Sequence, residues 1–217
     1  MTGEVRVVPD VAVAFAALLA VRPPAVIALS GGSTAQRCYE AVDDLPGATV
    51  LFGDERWVPV DHPDSNEGQA RRALLDRSTV AVVHSLRGAD DDIERQARRY
   101  DAVVAAGPPV DVIHLGLGPD GHTASLFPGS PSLGVRDRLV VATGDDLHPH
   151  PRLTFTFPAI ARCGLAVVTV EGGEKVDAWR TVRSGGSSPA GRLRAGRVVW
   201  LVSAEVELAA LDAGGLS

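Results

Sequence analysis

The sequence predicts an α/β fold in which a mostly parallel sheet lies between two layers of helices. Short runs of valine, isoleucine and leucine recur along the chain, and segments with helical spacing of apolar residues separate them. This alternation is typical of parallel strands joined by crossover helices. Several runs are apolar at successive positions, which indicates that both faces of the sheet are covered. The predicted architecture is a three-layer α/β sandwich.

Strands and helices can be assigned from these patterns along most of the chain. The predicted strands cover residues 4–8, 25–30, 48–53, 80–84, 110–115, 138–143, 165–170 and 197–202. The predicted helices cover residues 10–21, 34–43, 65–76, 90–106, 173–184 and 204–211. In the fourth helix, an acidic start suits the positive end of the helix dipole. Its apolar stripe comprises Ile93, Ala97, Tyr100, Val103 and Val104.

Length and composition favour a single domain over residues 1–217. A chain of this length with 45% hydrophobic residues can bury one substantial core. The formal net charge of -6 argues against a nucleic-acid partner, which would require a clustered positive surface. Cys38 and Cys163 belong to no CxxC or metal-ligand pattern, so we expect reduced, buried thiols.

The chain shows no pattern of export or membrane insertion. Its start, MTGEVRVV, lacks a basic stretch followed by an apolar one, and no run reaches the ~18 apolar residues of a membrane span. We therefore expect a soluble, cytoplasmic protein with no membrane partner.

Ligands of such sheets gather at the carboxyl ends of the strands, where the loops converge. The loop after the second predicted strand reads SGGSTAQRC. Gly31 and Gly32 allow close approach of the backbone to a ligand, and the amides of the next helical turn suit a phosphate. Ser33 or Thr34 can cap that helix. The loop lacks the lysine of a nucleoside-triphosphate loop, and a plain strand-to-helix turn explains it equally well.

The loop after the third predicted strand carries charges in the stretch GDERWVP. Asp54, Glu55 and Arg56 follow an apolar run, and Arg56 could offer a bidentate fork to a phosphate on the first loop. Ordinary surface charge is the alternative interpretation. Asp64 or Ser65 is expected to cap the helix that follows.

The loop LGLGPDGHTASLFPG, residues 115–129, contains Gly116, Gly118 and Gly121 in a GxGxxG frame. A dinucleotide fingerprint needs a helix of several turns after the glycines and an acidic residue at the end of the next strand. Here Pro128 and Gly129 interrupt within two turns, and the acidic residue at that distance precedes the strand. The glycines therefore indicate a tight turn instead of a dinucleotide site.

This turn presents Asp120 and His122 together. A histidine can take a proton from water near neutral pH, and a nearby carboxylate can orient its ring. The alternative is that His122 caps or packs a short helix. Lys175, at the sheet edge after the strand 165–170, and Arg152 could complete an anion site, or could be ordinary surface and salt-bridge residues.

Two absences narrow the chemistry that the sequence supports. The histidines form no HExxH motif and no compact pair with the cysteines, so a catalytic zinc is not indicated. No GxSxG elbow is present, so an acyl-serine mechanism has no candidate nucleophile.

Read together, these motifs resemble the 6-phosphogluconolactonase family over about residues 27 to 202. The resemblance is carried by LSGGST (29–34), GDERWVP (53–59), SN (65–66), LGLGPDGHTASLFPG (115–129), PRLTFT (151–156) and EGGEKVDAW (171–179). It implies a Rossmann-like fold shared with glucosamine-6-phosphate deaminase. It also implies hydrolysis of 6-phospho-D-glucono-1,5-lactone to 6-phosphogluconate without metal or other cofactor, by a monomer or small homo-oligomer.

The resemblance also assigns roles to residues. His122 is the expected general base, with Asp120 as its partner or as a substrate contact. The expected substrate-binding residues are Gly31, Gly32, Ser33, Thr34, Asp54, Arg56, Gly118, Gly121, Arg152 and Lys175. Backbone amides of the 116–122 turn are expected to stabilise the oxyanion.

The chain departs from the family pattern at two places. Family members usually carry proline after the GGST threonine, where this chain has Ala35. The last strand is often followed by an aspartate, where this chain has Ser203, so the resemblance assigns no acid to that position.

Two alternative functions remain. A deaminase resembling the glucosamine-6-phosphate enzymes would continue from its Gly-His turn toward Phe-Asn-Glu-Pro, whereas this chain continues TASLFPG. A phosphosugar sensor could use the same fold, but it would normally accompany a DNA-binding segment, for which the first strand near residue 4 leaves no room.

Overall fold

The computed structural model describes residues 2–144 and 148–212. Within these ranges the chain forms ten strands and seven α-helices. The strands are β1 (Glu4–Val8), β2 (Val26–Leu29), β3 (Thr49–Phe52), β4 (Asp54–Arg56), β5 (Val82–Val83), β6 (Val112–Gly116), β7 (Val140–Thr143), β8 (Arg152–Phe155), β9 (Leu165–Val170) and β10 (Arg197–Ser203). The helices are α1 (Val11–Val21), α2 (Ser33–Ala41), α3 (Asn66–Ala73), α4 (Ile93–Ala106), α5 (Phe157–Ala161), α6 (Val176–Arg183) and α7 (Ala204–Asp212).

Seven strands form one sheet in the order β1-β10-β9-β6-β2-β3-β5, and all neighbouring strands are parallel. The chain adds strands on one side of β2 as far as β5, then crosses to the other side with β6. The strand order therefore reverses between β2 and β6, which makes that boundary the switch point of the sheet. The predicted mostly parallel α/β sheet is confirmed.

Helices cover both faces of this sheet, and the central strands are apolar throughout. Helices α1 and α2 pack on each other and contact β9, while α6 and α7 pack together and α7 contacts β1 and β10. Every residue of β2 is buried, as are nearly all of β9 and β10. The largest fully buried side chains include Trp179, Trp200, Phe15 and Phe52. The buried apolar residues form a continuous cluster, and the single-domain assignment stays a prediction.

A second, antiparallel sheet of three strands, β4-β8-β7, was not predicted from the sequence. The predicted strand 138–143 lies in this sheet instead of the parallel one, because an apolar run does not reveal which sheet it pairs in. Strand β4 carries three polar residues, and its sequence pattern predicts a loop. Strand β8 belongs to a family motif but has no predicted strand of its own. This small sheet brings β4 beside β8 and thereby places two of the predicted substrate-binding residues, Arg56 and Arg152, side by side.

The predicted helix boundaries are correct to within a few residues. Helix α4 begins only at Ile93, after Asp92, whose side chain accepts from the amide of Arg95. Of the predicted stripe, Ala97 and Tyr100 are buried, but Val103 is exposed. Since successive residues point about 100° apart on a helix, the stripe continues from Tyr100 to Val104 and leaves Val103 to one side.

The predicted buried thiols are confirmed, since Cys38 and Cys163 are both buried and unbridged. Burial raises the pKa of each thiol to about 12, which leaves both protonated and unreactive near neutral pH. Among the described helices, none combines the length and apolar character that crossing a bilayer requires.

A buried carboxylate fixes the start of α3 against β4. Glu55 Oε1 accepts from the amides of Arg56 and Asn66, each at 2.7 Å. Its Oε2 accepts from the Ser65 hydroxyl at 3.0 Å and the Glu67 amide at 2.8 Å. Burial raises the pKa of Glu55, and these hydrogen bonds oppose the rise. Glu55 is therefore an anchor for the helix start and not a surface charge.

The helix cap completes this anchor. The Ser65 hydroxyl accepts from the amide of Gly68 at 3.0 Å while it donates to Glu55. Of the two predicted caps for this helix, Ser65 is confirmed as the N-cap residue.

Glu55→Gln should lower the free energy of unfolding by about 1–3 kcal/mol. The NH2 group of the glutamine cannot accept the two hydrogen bonds that the carboxylate oxygen in its place accepts. Urea unfolding should show a lower midpoint with an unchanged m-value. The matched control is Glu40→Gln, since the Glu40 carboxylate accepts from the Gln36 side chain on the exposed surface of α2. Equal midpoints for the two variants would contradict the anchoring role.

Candidate active site

Four loops meet at one edge of the parallel sheet. Strands β9, β6, β2 and β3 are consecutive neighbours, so the residues after each of them emerge side by side. These are the four loops in which the sequence analysis placed its candidate residues. The switch point between β2 and β6 lies at their centre, as the rule for open α/β sheets predicts.

A cleft of about 200 Å³ opens at this edge. It is smaller than the roughly 300–1,000 Å³ of most drug-binding pockets, which suits a compact ligand. Its walls are formed by Ser30, Gly31, Gly32, Asp54, Arg56, Asn66, Gly116, Leu117, Gly118, Pro119, His122, Ala124, Arg152 and Lys175. Eight of these are residues that the sequence analysis assigned to substrate binding or catalysis, and they come from all four loops and from β8.

Four predicted residues do not line the cleft directly. Ser33 and Thr34 belong to the first turn of α2, and the expectation that one of them caps this helix is wrong. The N-cap is Gly32, at a positive φ of 101°, which glycine adopts readily. The first-turn amides still have no acceptor within the helix, although the Gly32 amide donates to Gln69 Oε1 at 2.9 Å.

The other two, Asp120 and Gly121, form the turn that carries His122. The Gly121 amide donates to the Gly118 carbonyl, and the Gly118 amide donates to the His122 carbonyl, each at 2.9 Å. Gly121 has a positive φ of 83°. Instead of the short helix considered from the sequence, residues 117–122 form a closed turn.

Asp120 orients the His122 ring from behind. Its Oδ1 lies 2.5 Å from His122 Nδ1 and accepts from the His122 amide at 3.0 Å. Burial acts to raise the pKa of Asp120, but the amide, charge and ring of His122 together hold it below its ordinary value. With Nδ1 donating to this carboxylate, the neutral ring carries its lone pair on Nε2, as a general base requires.

Gly118 provides the room that the ring occupies. A Cβ added at Gly118 would lie 2.0 Å from His122 Nδ1 and 2.1 Å from Cε1. No side chain can occupy that position while the ring stays against Asp120. Two glycines of the GxGxxG frame, Gly118 and Gly121, therefore shape the turn that carries the histidine.

The oxyanion donors expected from this turn are only partly available. The amides of Gly118, Gly121 and His122 all donate within the turn, to a carbonyl or to Asp120. These three amides are therefore excluded as oxyanion donors in this conformation, because they already donate hydrogen bonds within the turn.

Phe127 packs against two side chains that line the cleft. Its ring centroid lies 4.8 Å from that of His122 and 5.4 Å from the Arg152 guanidinium carbon. The ring also stacks on His148 at 4.0 Å. One buried aromatic ring thus contacts both the histidine and one arginine of the cleft.

Arg56 and Arg152 are direct register partners on the antiparallel strands β4 and β8. Directly opposite residues place their side chains on the same face, and like charges there are destabilising. Lys175 adds a third positive charge from the turn after β9. Three cations around one small cleft indicate a site for an anion with two or more negative charges.

Several buried polar atoms in the cleft have no hydrogen-bond partner among the described residues. They are Ser30 Oγ, Asn66 Oδ1 and Arg56 Nε. Buried polar groups are normally satisfied, so unsatisfied ones that line one cleft indicate a polar ligand. Arg56 is otherwise held by Nη1, which donates to the Asp64 carbonyl at 2.7 Å.

Ser30 and Asn66 were not among the predicted site residues. Asn66 Nδ2 donates to the Asp54 carbonyl at 2.9 Å, and Asp54 Oδ2 accepts from Ser125 Oγ at 2.7 Å. A Cβ at Gly31 would lie 1.8 Å from Asn66 Oδ1, so the glycine is required for close packing of loop and asparagine. The only sequence signal for Asn66 was its place in the SN pair of the family motif.

Comparison with known proteins identifies the family of the chain. The profile of the glucosamine-6-phosphate isomerases/6-phosphogluconolactonase family matches residues 5–200. The chain is 46% identical over 171 residues to 6-phosphogluconolactonase of Synechocystis sp., covering 72% of this chain and 70% of the relative.

Solved structures agree as well. The crystal structure of 6-phosphogluconolactonase from Thermotoga maritima is 27% identical with a TM-score of 0.76, covering 92% of this chain and 99% of that one. A monomeric glucosamine-6-phosphate deaminase shares the fold, with a TM-score of 0.79 over 96% of this chain and 100% of that one at 21% identity. The predicted kinship of the fold with the deaminases is confirmed. The chain belongs to the family of glucosamine-6-phosphate isomerases and 6-phosphogluconolactonases.

Proposed function

We propose that this protein hydrolyses 6-phospho-D-glucono-1,5-lactone to 6-phospho-D-gluconate in the oxidative pentose phosphate pathway, without metal or other cofactor. The observation that carries the proposal is the pairing of an oriented histidine with a cationic cleft. His122 and Asp120 supply the base, and Arg56, Arg152 and Lys175 supply charges for a phosphate. The names of the relatives support the choice of substrate.

In the proposed mechanism, His122 Nε2 accepts a proton from water as that water attacks C1 of the lactone. The imidazolium then protonates the ring oxygen as the C1–O bond breaks, which opens the ring and returns the histidine to its neutral form. The Asp120 carboxylate stabilises the imidazolium between these steps. The carboxylic acid formed at C1 keeps the second proton of the water and releases it to solvent, which gives 6-phosphogluconate and the acid that the assay detects.

The phosphate holds the lactone at a fixed distance from the base. Arg56 and Arg152 are register partners on neighbouring strands, and both can donate charge-assisted hydrogen bonds to a phosphate between them. The amides of the first turn of α2, after Gly31 and Gly32, offer further donors, and this is the role we propose for the Ser33-Thr34 segment. Asp54 faces the sugar side of the cleft in this proposal and would accept from a hydroxyl.

The oxyanion that forms at C1 requires a donor other than the amides of Gly118, Gly121 and His122. The Ser30 hydroxyl is the donor we propose, since Ser30 lines the cleft and its Oγ has no hydrogen-bond partner among the described residues. Gly118 and Gly121 then contribute by shaping the turn and not by donating to substrate.

We also propose a cytoplasmic location and a monomer or small homo-oligomer. A phosphorylated sugar lactone carries a charge that prevents free passage through a bilayer, so its hydrolase belongs in the compartment where it is formed.

The test is an assay in which the lactone is generated in situ from glucose 6-phosphate and acid release is followed above the spontaneous rate. We expect catalysed release, with no ammonia from glucosamine 6-phosphate in a parallel reaction. Ammonia release without lactone hydrolysis would replace the proposal with deamination. Binding of 6-phosphogluconate without either reaction would indicate a sensor.

His122→Ala should lower kcat by about two to four orders of magnitude, because the general base is lost. KM should change little, since the phosphate contacts remain. The control is His84→Ala, a half-buried histidine outside the cleft, which should keep full activity. A folded His122→Ala protein with normal kcat would remove His122 from the role of base.

Arg56→Gln should raise KM about ten- to hundredfold with a smaller effect on kcat, as expected for loss of a charge-assisted hydrogen bond to a group that does not react. Arg98→Gln on the exposed face of α4 is the matched control. Calorimetric binding of 6-phosphogluconate should weaken by a similar factor in the first variant only. A normal KM for Arg56→Gln would exclude it from phosphate binding.

Gly118→Ala should lower kcat by about 10²-fold, because the added methyl group displaces the His122 ring and a shift near 1 Å has effects of this size. Circular dichroism should confirm a native fold. Gly134→Ala, where an added Cβ meets nothing within 4 Å, is the control and should be fully active. Equal activity of the two variants would show that the ring position is unimportant.

A further inference from the structure

A second group of titratable side chains lies outside the cleft, on the two segments that flank the small sheet. His62 and Asp64 belong to the loop between β4 and α3, and His150 lies just before β8. His150 Nε2 is 2.9 Å from Asp64 Oδ2, and His62 Nδ1 is 3.9 Å from the same oxygen. The two imidazole rings meet edge to face at 5.4 Å. None of the three residues lines the cleft or takes part in the proposed reaction.

The geometry of this group is close to that of a metal site. One ligand atom from each residue lies within 4.8 Å of the other two. Tetrahedral coordination at about 2.0–2.1 Å requires ligand atoms roughly 3.3 Å apart. The separations of 2.9 and 3.9 Å lie on either side of that value. His62 Nδ1 accepts from the Asp64 amide at 3.1 Å, and it would exchange this hydrogen bond for the ion.

The donor set selects the kind of ion. Two imidazoles and one carboxylate suit a borderline transition metal, whereas Mg²⁺ and Ca²⁺ prefer a site made of oxygen ligands. The Asp64 carboxylate oxygen Oδ2 lies near one nitrogen of each histidine and is the oxygen ligand of the set. Both histidines and Asp64 are partly exposed, so an ion can reach them from solvent.

We propose that His62, Asp64 and His150 bind one Zn²⁺ ion, or a similar transition-metal ion, with a fourth position open to solvent. His150 would keep its proton on Nδ1 and offer Nε2, which at present faces Asp64. The positive charge of Arg56 disfavours binding of a cation nearby. Arg56 Nη1 donates to the backbone carbonyl of Asp64, whereas the proposed ligand is the carboxylate of that residue. The inference does not depend on the proposed function, because it concerns binding alone.

The ion would join two parts of the chain that each carry an arginine of the cleft. Asp64 holds Arg56 through its carbonyl oxygen, and His150 precedes Arg152 by two residues. The Trp57 amide already donates to the Pro151 carbonyl at 2.8 Å between the same two segments. A bound ion would add a second and stronger link between these two segments. It would also stabilise the native state by mass action.

The test uses the full chain without a histidine tag, in a buffer that does not bind metals. Calorimetric titration with Zn²⁺ should give one ion per chain, and Co²⁺ should give the visible absorption of tetrahedral nitrogen and oxygen coordination. His62→Ala and His150→Ala should each weaken Zn²⁺ binding by about tenfold or more, since even the loss of an indirect supporting group costs 10–100-fold. Asp64→Asn, which keeps an oxygen for His150, checks the carboxylate without disturbing the fold.

His84→Ala and His122→Ala are the matched controls and should bind Zn²⁺ like the unaltered chain. Zn²⁺ should raise the melting temperature of the unaltered protein and of both controls, but not that of His150→Ala. Absence of binding would overturn the proposal. So would binding that His122→Ala abolishes, or binding of several ions per chain that His62→Ala and His150→Ala leave intact.

Discussion

The arrangement of the site depends on a polar network buried in the core beneath it. His114, in the middle of β6, contacts Tyr39 Oη through Nδ1 and Thr169 Oγ1 through Nε2, each at 3.0 Å. Tyr39 on α2 donates to the Ser30 carbonyl at 3.0 Å and accepts from the Ser30 amide at 2.8 Å. Burial lowers the pKa of His114 to about 3, so the ring stays neutral and can serve both partners. The network joins β2, β6, β9 and α2 at the point where the strand order reverses.

This network explains why the glycine loop holds its position without a side-chain cap. Both backbone groups of Ser30 are fixed by one tyrosine hydroxyl, so the loop leaves β2 in a defined direction. Asn66 packs against Gly31 from the other side, and Gln69 accepts from the Gly32 amide. The glycine loop is thus held between a neutral core network and the start of α3, which Glu55 anchors in turn. Because the loop is already ordered, a ligand does not lose binding free energy in ordering it.

The sequence predicted those parts of the site whose signals are local. Gly31, Gly32, Asp120 and His122 directly follow apolar strands, and the parallel sheet then places them at one edge. The pairing of Arg56 with Arg152 could not be predicted in this way, because strand β4 has no apolar pattern and is extended only through its contact with a distant segment. Two further features depend on tertiary packing that periodicity does not record. They are the anchoring of α3 by Glu55 and the closing of the His62, Asp64 and His150 group.

Charge distribution shows how an acidic protein can bind an anion. The chain carries a net charge of -6, so its long-range field repels a sugar phosphate. At physiological ionic strength that field is screened beyond about 8 Å. Under the proposed function, a ligand within this distance would meet Arg56, Arg152 and Lys175 in a cleft whose walls are largely protein, where charges interact more strongly than in water. Recognition therefore rests on the local register of β4 and β8, while the acidic surface discourages longer polyanions such as nucleic acid.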